Sequence, residues 1–169
     1  MTSSNGQMIL AIDPGPVDSA LVLYSPTAGL CEHHTGPNAW VLAYLSIYHA
    51  APQDVLVIEQ IAAMGMAVGA EVFETVRWAG RFEQAWRHRR LAVDRVKRIH
   101  VKLALCGQSR AKDGNVRQAL IDRFGGPLAV KKGGPLYKVS GDAWAALAVA
   151  VAYSDPHALP RESLEPSDN

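Results

Sequence analysis

The chain has 169 residues, 49% of them hydrophobic and 20% charged, with a net charge of +1, which suits one compact domain with a sizeable core. No apolar run approaches the roughly 18 residues needed to cross a bilayer, and the opening MTSSNGQ lacks the basic-then-apolar pattern of a secretory signal. Cys31 and Cys106 form neither a disulfide framework nor a paired-ligand spacing, so a reduced, cytoplasmic setting is expected.

Residues 8–13, MILAID, form an apolar run stopped by Pro14-Gly15, the pattern of a buried strand ending in a turn. Residues 20–25 predict a second strand, and a short third is expected across Leu30–His34. Asn38 is placed to cap a helix over 39–50, which Pro52 ends. VLVIEQ (55–60) is β-branched and apolar, hence a central strand running into Glu59. A loop rich in Ala, Met and Gly precedes a long helix over about 68–90, and the alternating basic and apolar residues of Arg95–Val101 predict a further strand. An amphipathic helix is expected over 111–124 and a basic loop over 127–139. Ser140 is placed to cap an apolar helix, Ala143–Tyr153. Residues 1–155 are therefore expected to form a single domain, with 156–169, rich in proline, a flexible tail. The order of elements predicts an α/β fold, a mixed sheet with helices on both faces.

Charge is spread unevenly over these elements. Residues 1–76 hold no Lys or Arg and seven acids, whereas residues 77–138 hold sixteen basic residues against four acids. Such asymmetry points to a basic surface for a polyanion beside an acidic region able to hold cations; a solvated helix face is the plainer alternative.

Three acids stand at the ends of apolar elements with no basic neighbour in sequence: Asp13, Glu59 and Asp142. Taken singly, Asp13 suits a turn cap, Glu59 a strand end at solvent, and Asp142 a first-turn helix acid. Together they match what phosphodiester hydrolysis requires. Hard divalent cations that polarise a phosphoryl oxygen and activate water are held by carboxylates, and a lone carboxylate in an apolar segment is costly without such compensation.

At this level the sequence resembles the RuvC-type Holliday-junction resolvases, those of phage among them. The resemblance rests on ILAIDPG, VLVIEQ, the final Asp-Ala-x-x-Ala-Leu-Ala-x-Ala helix, and RIHVKLALCGQSRAKDGNV at 98–116, and it runs from about Met8 to Tyr153. It implies an RNase H-like mixed five-stranded sheet flanked by helices on both faces. It implies one or two Mg²⁺ or Mn²⁺ ions held by Asp13, Glu59 and Asp142, with Lys102 and Lys112 as active-site lysines. It also implies a homodimer, expected through the long helix around 68–90, where Gly80 matches a closely packed glycine, and structure-selective cleavage of four-way DNA junctions by paired symmetric nicks. One departure is plain: where the family has a second Asp one turn along the last helix, this chain has Ala145. Asp18 and Asp113 are low-ranked substitutes for the lost ligand.

The remaining basic residues are expected to meet DNA. Lys112, at the start of a helix, suits a phosphate, and Arg110, Arg117, Lys131, Lys132 and Lys138 extend the basic surface. The loop at 131–138 is expected to order on DNA. Met64 and Met66 are candidates for a wedge at a branch point, with core packing the alternative. Phe73, Trp78, Phe82 and Trp86 are read as core or dimer surface, and the six histidines as bystanders without zinc-like spacing. Competing readings share the fold or discard the chemistry: a ribonuclease H or flap-directed nuclease, or a catalytically silent junction-binding module. An actin-like nucleotide-binding protein needs two lobes and about twice this length.

Overall fold

The computed structural model describes residues 6–62 and 68–159. Its element order is β1 (Ile9–Asp13), β2 (Asp18–Ser25), β3 (Gly29–Pro37), α1 (Asn38–Ile47), β4 (Val55–Gln60), α2 (Ala70–Arg87), β5 (Ala92–Lys97), α3 (Arg98–Cys106), α4 (Asp113–Arg123), a short 3₁₀ turn at Gly126–Val130, and α5 (Ala143–Ser154). The five strands form one sheet in the order β3-β2-β1-β4-β5. β1, β2 and β3 pair antiparallel, whereas β1, β4 and β5 run parallel. This is the expected α/β arrangement, a mixed sheet with helices on both faces. No helix among the described residues is long and apolar enough to cross a membrane.

Alternation along the strands divides the interior into two cores. Ile9 and Ala11 of β1, with Val55 and Val57 of β4, face α5. Leu10, Ile12, Leu56 and Ile58 face α1 and α2 and pack on Val41, Leu45, Phe82 and Trp86. The α5 helix is apolar on every side because it lies between the sheet and the α3–α4 pair. Its alanines, with Ala11 and Ala20 on the strands, allow a close approach to the sheet.

Several local expectations are corrected. β3 is longer than Leu30–His34 because it pairs with β2 along its length, with one bulge. The strand expected over Arg95–Val101 ends at Lys97, and Arg98 opens α3. Nine residues with apolar Ile99, Val101, Leu103 and Leu105 fit either period, and burial of Val101 against the α5 core selects the helix. Asn38 is the first helical residue rather than the cap. It is buried, its Nδ2 donates to the Gly15 carbonyl at 3.0 Å, and its Oδ1 accepts from Ser19 Oγ. Ser140 does not cap α5; Asp142 holds that position.

The basic loop over 127–139 is already anchored: Leu136 is fully buried and Val139 nearly so, and the Leu136 N–H donates to the Ala129 carbonyl at 2.9 Å. A Cβ on Gly134 would stand 2.3 Å from that same oxygen, so only glycine fits there. The expected tail is tied at its start, since Leu159 is buried in the α5 core. Met64 and Met66 lie outside the described residues, as do positions 160–169.

Candidate active site

Asp13 ends β1 and Glu59 lies next to the end of β4, on adjacent parallel strands. Because Ile12 pairs with Ile58, the next residue on each strand falls alongside the other. Both acids share the parity of Ile9, Ala11, Val55 and Val57, so both point to the α5 face. Asp142 stands at the N-cap of α5, where its side chain makes no capping hydrogen bond. The three carboxylates line one cavity of about 170 Å³, together with Arg98, Lys102, Asp113, Arg117, Trp144 and Ala145. It opens at the carboxyl ends of the parallel strands, the customary place for a site in such sheets. The Asp13-Pro14-Gly15 turn is fixed from behind by Ser19 Oγ, which accepts from the Gly15 N–H at 3.1 Å, and by Asn38. A Cβ on Gly15 would lie 2.2 Å from the Asp18 carbonyl oxygen, which restricts that position to glycine.

The electrostatics of the three acids differ. Burial, then Glu59, Asp142 and Asp113, push the Asp13 carboxyl up to about 7 against the opposing pull of Arg98. No hydrogen bond or ion pair to that carboxylate forms among the described residues. Burial also raises Glu59, but Arg98 opposes the rise: its Nη1 lies 3.0 Å from Glu59 Oε1. Arg98 Nη2 reaches Asp113 Oδ1 at 3.1 Å, and Lys102 Nζ reaches the same oxygen at 3.3 Å. Hydrogen bonding to Arg98 holds the Asp113 carboxyl below its usual range. Burial works against the Arg98 charge, but Glu59 and Asp113 outweigh it and keep the guanidinium firmly protonated.

The structure thus gathers Asp13, Glu59, Asp142, Lys102 and Arg117 of the expected residues. The Arg117 guanidinium sits 4.8 Å from the centre of the Trp144 ring, which holds it at the rim. Arg110 lines an adjoining recess whose wall shares Glu59, Arg98 and Lys102 and whose floor includes Ile61, Ala62 and Ile99. Lys112 is exposed at the N-cap of α4 and does not line the cavity; its neighbour Asp113 does. Lys131, Lys132 and Lys138 are exposed outside both recesses, and Asp18 is exposed at the start of β2. Gly80 is not closely packed within the chain: a Cβ there would meet nothing within 4 Å.

Arg98 is the residue that sequence reasoning missed. Its spacing of four from Lys102 puts both on one helical face, but that signal appears only once 98–106 is read as a helix.

No three His, Cys, Asp or Glu side chains among the described residues stand together as a ready metal-binding group. The donor set nonetheless fits a hard cation in kind. The Asp13 carboxylate, half-buried and with no hydrogen bond or ion pair among the described residues, stands beside Glu59 and Asp142; burial first and then those acids raise it, with Arg98 opposing.

No protein-family model matches the sequence, and no curated protein matches it. Among solved structures, RuvC of Thermus thermophilus superposes with a TM-score of 0.69 at 15% identity, covering 95% of this chain and 100% of that one. T. thermophilus RuvC in complex with a Holliday junction substrate superposes with a TM-score of 0.60 at 17% identity, covering 86% and 90%. At such identities the likeness establishes architecture: the chain has the RuvC-type, RNase H-like fold.

Proposed function

We propose that the chain is a divalent-cation-dependent endonuclease that resolves four-way DNA junctions by phosphodiester hydrolysis, cutting symmetric strands in pairs. The observation that carries this reading is the convergence of Asp13, Glu59 and Asp142 in one cavity rimmed by Lys102 and Arg117. That cavity lies on the fold of a protein whose structure is known with a Holliday junction bound. Asp13, Glu59 and Asp142 would hold Mg²⁺ or Mn²⁺, which supplies Lewis acidity toward the phosphoryl oxygen and makes the attacking water more acidic.

The chain's own groups do the rest. Arg117, stacked on Trp144, presents a preorganised cation to a backbone phosphate. Lys102, largely buried beside Asp113, offsets charge developing on the scissile group. Lys112, Arg110, Lys131, Lys132 and Lys138 extend the contact along flanking phosphates. Paired cuts call for a twofold dimer. A dimer through α2 is supported by Phe73 and Val76, which are 66% and 50% exposed on that helix, and by the open side of Gly80. A cytoplasmic setting, with access to DNA, belongs to the same reading.

The deciding assay incubates the protein with labelled four-way junction, linear duplex and RNA–DNA hybrid, with and without Mg²⁺ or Mn²⁺. Symmetric nicks in the junction alone, and only with metal, are the expected result; preferential cutting of the hybrid assigns a ribonuclease H activity instead. A second reading, a junction-binding module without cleavage, is favoured by the Arg98–Glu59 ion pair inside the cavity. Tight junction binding with no cutting in either metal would establish it.

A further inference from the structure

We infer that this site takes a single divalent cation, and that the Arg98 guanidinium, clamped between Glu59 and Asp113, is the second positive charge of the active site. The inference deepens the nuclease reading and rests on it. Its first support is the donor set. The wall that α5 and its N-cap give the cavity is Asp142, Trp144, Ala145 and Ala148, so that helix offers one carboxylate and no more. Asp113 brings a further acid, but one of its oxygens already meets Arg98 and Lys102. Glu59 is likewise engaged through Oε1. Asp13 and Asp142 are left as the acids with no ion pair among the described residues, enough to anchor one ion with help from Glu59 Oε2 and water.

The second support is charge balance within the cavity. Four carboxylates (Asp13, Glu59, Asp113, Asp142) face three cationic side chains (Arg98, Lys102, Arg117). With every acid ionised, one divalent ion and the incoming phosphodiester bring the enclosed charge to zero. A second divalent ion leaves an excess of two positive charges in a space of about 170 Å³, where like charges are poorly screened.

The third support is the position of Arg98. As the first residue of α3 it puts a cation at the positive end of the helix dipole, an unfavourable place that the two carboxylates compensate. Its contacts with Glu59 and Asp113 leave most of its five N–H donors for phosphate oxygens, in the planar geometry that suits them.

The test counts ions on the protein alone. Isothermal titration calorimetry of the full chain with MnCl₂ is expected to give one Mn²⁺ per chain, and none for Asp13→Asn. Arg98→Ala and Arg98→Gln, which free Glu59 and Asp113 to face one another, are expected to take up a second Mn²⁺; Arg98→Lys, which keeps the charge, is expected to stay at one. Circular dichroism and melting curves verify that each variant is folded, and the wild-type count is decisive even if one variant is not. Any wild-type count other than one, or folded Arg98→Ala and Arg98→Gln proteins that still bind one ion with unchanged affinity, overturns the inference. A chain that binds one ion yet nicks no junction in Mn²⁺ overturns the nuclease reading, and with it the part assigned to Arg98 in the chemistry.

Discussion

Two acids on the α2 side of the sheet and Asp13 on its α5 side are treated in opposite ways. On the α2 side, Glu83 is buried and closed off: Arg87 Nη2 meets its Oε1 at 2.7 Å, and Arg95 from β5 pairs with its other oxygen. Asp54, equally buried at the foot of β4, accepts the N–H groups of Met8 at 2.9 Å and Ala51 at 2.8 Å. On the α5 side, the Asp13 carboxylate forms no ion pair and accepts no N–H among the described residues; burial and neighbouring acids raise it, and Arg98, paired with Glu59 and Asp113, only tempers the rise. A fold able to satisfy Glu83 and Asp54 so fully leaves Asp13 unsatisfied at the mouth of a cavity. A carboxylate left without a hydrogen bond or ion pair at a cavity is a candidate place for a ligand.

The largest effect expected from this contrast is on cutting. Glu59→Gln keeps the shape of the β4 end and removes an anionic donor, so junction cleavage should fall by roughly a hundred- to a thousand-fold, the scale on which removal of one active-site electrostatic group is felt. Junction affinity, which rests on the basic rim, should stay within a few-fold. Gel-shift and single-turnover cleavage on one preparation measure both. A Gln variant that cuts at the wild-type rate takes Glu59 out of the chemistry.

Next in size is the closed acid. Glu83→Ala leaves Arg87 and Arg95 without their shared carboxylate. Removing one partner of a buried pair costs about 3–5 kcal/mol, and since both arginines reach solvent here a loss near 2 kcal/mol is expected. Urea unfolding reads it, while Mn²⁺ binding should be unchanged. Altered ion binding with unchanged stability would mean that the two faces are not separable in this way.

How far the sequence announces this contrast depends on the range of the interaction. β1, β4 and α5 are legible because each is a continuous apolar run with an acid at or next to one end, and burial of those runs dictates where the acids converge. The parity that turns Asp13 and Glu59 to the same face follows from period-two alternation, once β1 and β4 are known to pair in parallel. Arg98 is not legible, because its partner Glu59 lies 39 residues away and because RIHVK satisfies a strand pattern as readily as a helical one. Lys112 is the reverse case: local rules mark a lysine at a helix start for phosphate, but they do not say that the turn of α4 brings its neighbour Asp113, and not Lys112, to the cavity wall. The basic loop was legible in charge and not in order, since the burial of Leu136 depends on the 3₁₀ turn folding under it.

The smallest effect separates the two faces by sign. Replacing the paired acid Glu83 should destabilise the protein, whereas Asp13→Asn should stabilise it when no divalent ion is present. Burial and the neighbouring acids push the folded-state pKa of Asp13 up to about 7 from an ordinary 3.8. Below about pH 4 the group is protonated in both folded and unfolded chains and costs nothing. As pH rises toward 7, the unfolded chain ionises freely while the folded one resists, so stability drains away across that window and levels off above it. A shift of this size corresponds to at most about 4 kcal/mol, and relaxation of the cavity should reduce the realised gain of the Asn variant to about 1–2 kcal/mol at neutral pH. Melting curves in EDTA from pH 4 to 8 should therefore diverge, with the variant ahead by a widening margin up to about pH 7. Adding Mn²⁺ should erase that margin by stabilising only the wild type, because an ion that binds the folded state draws the equilibrium toward it. Parallel pH profiles, or equal stabilisation of both proteins by Mn²⁺, would mean that Asp13 is satisfied within the chain and that the α5 face holds no site for a cation.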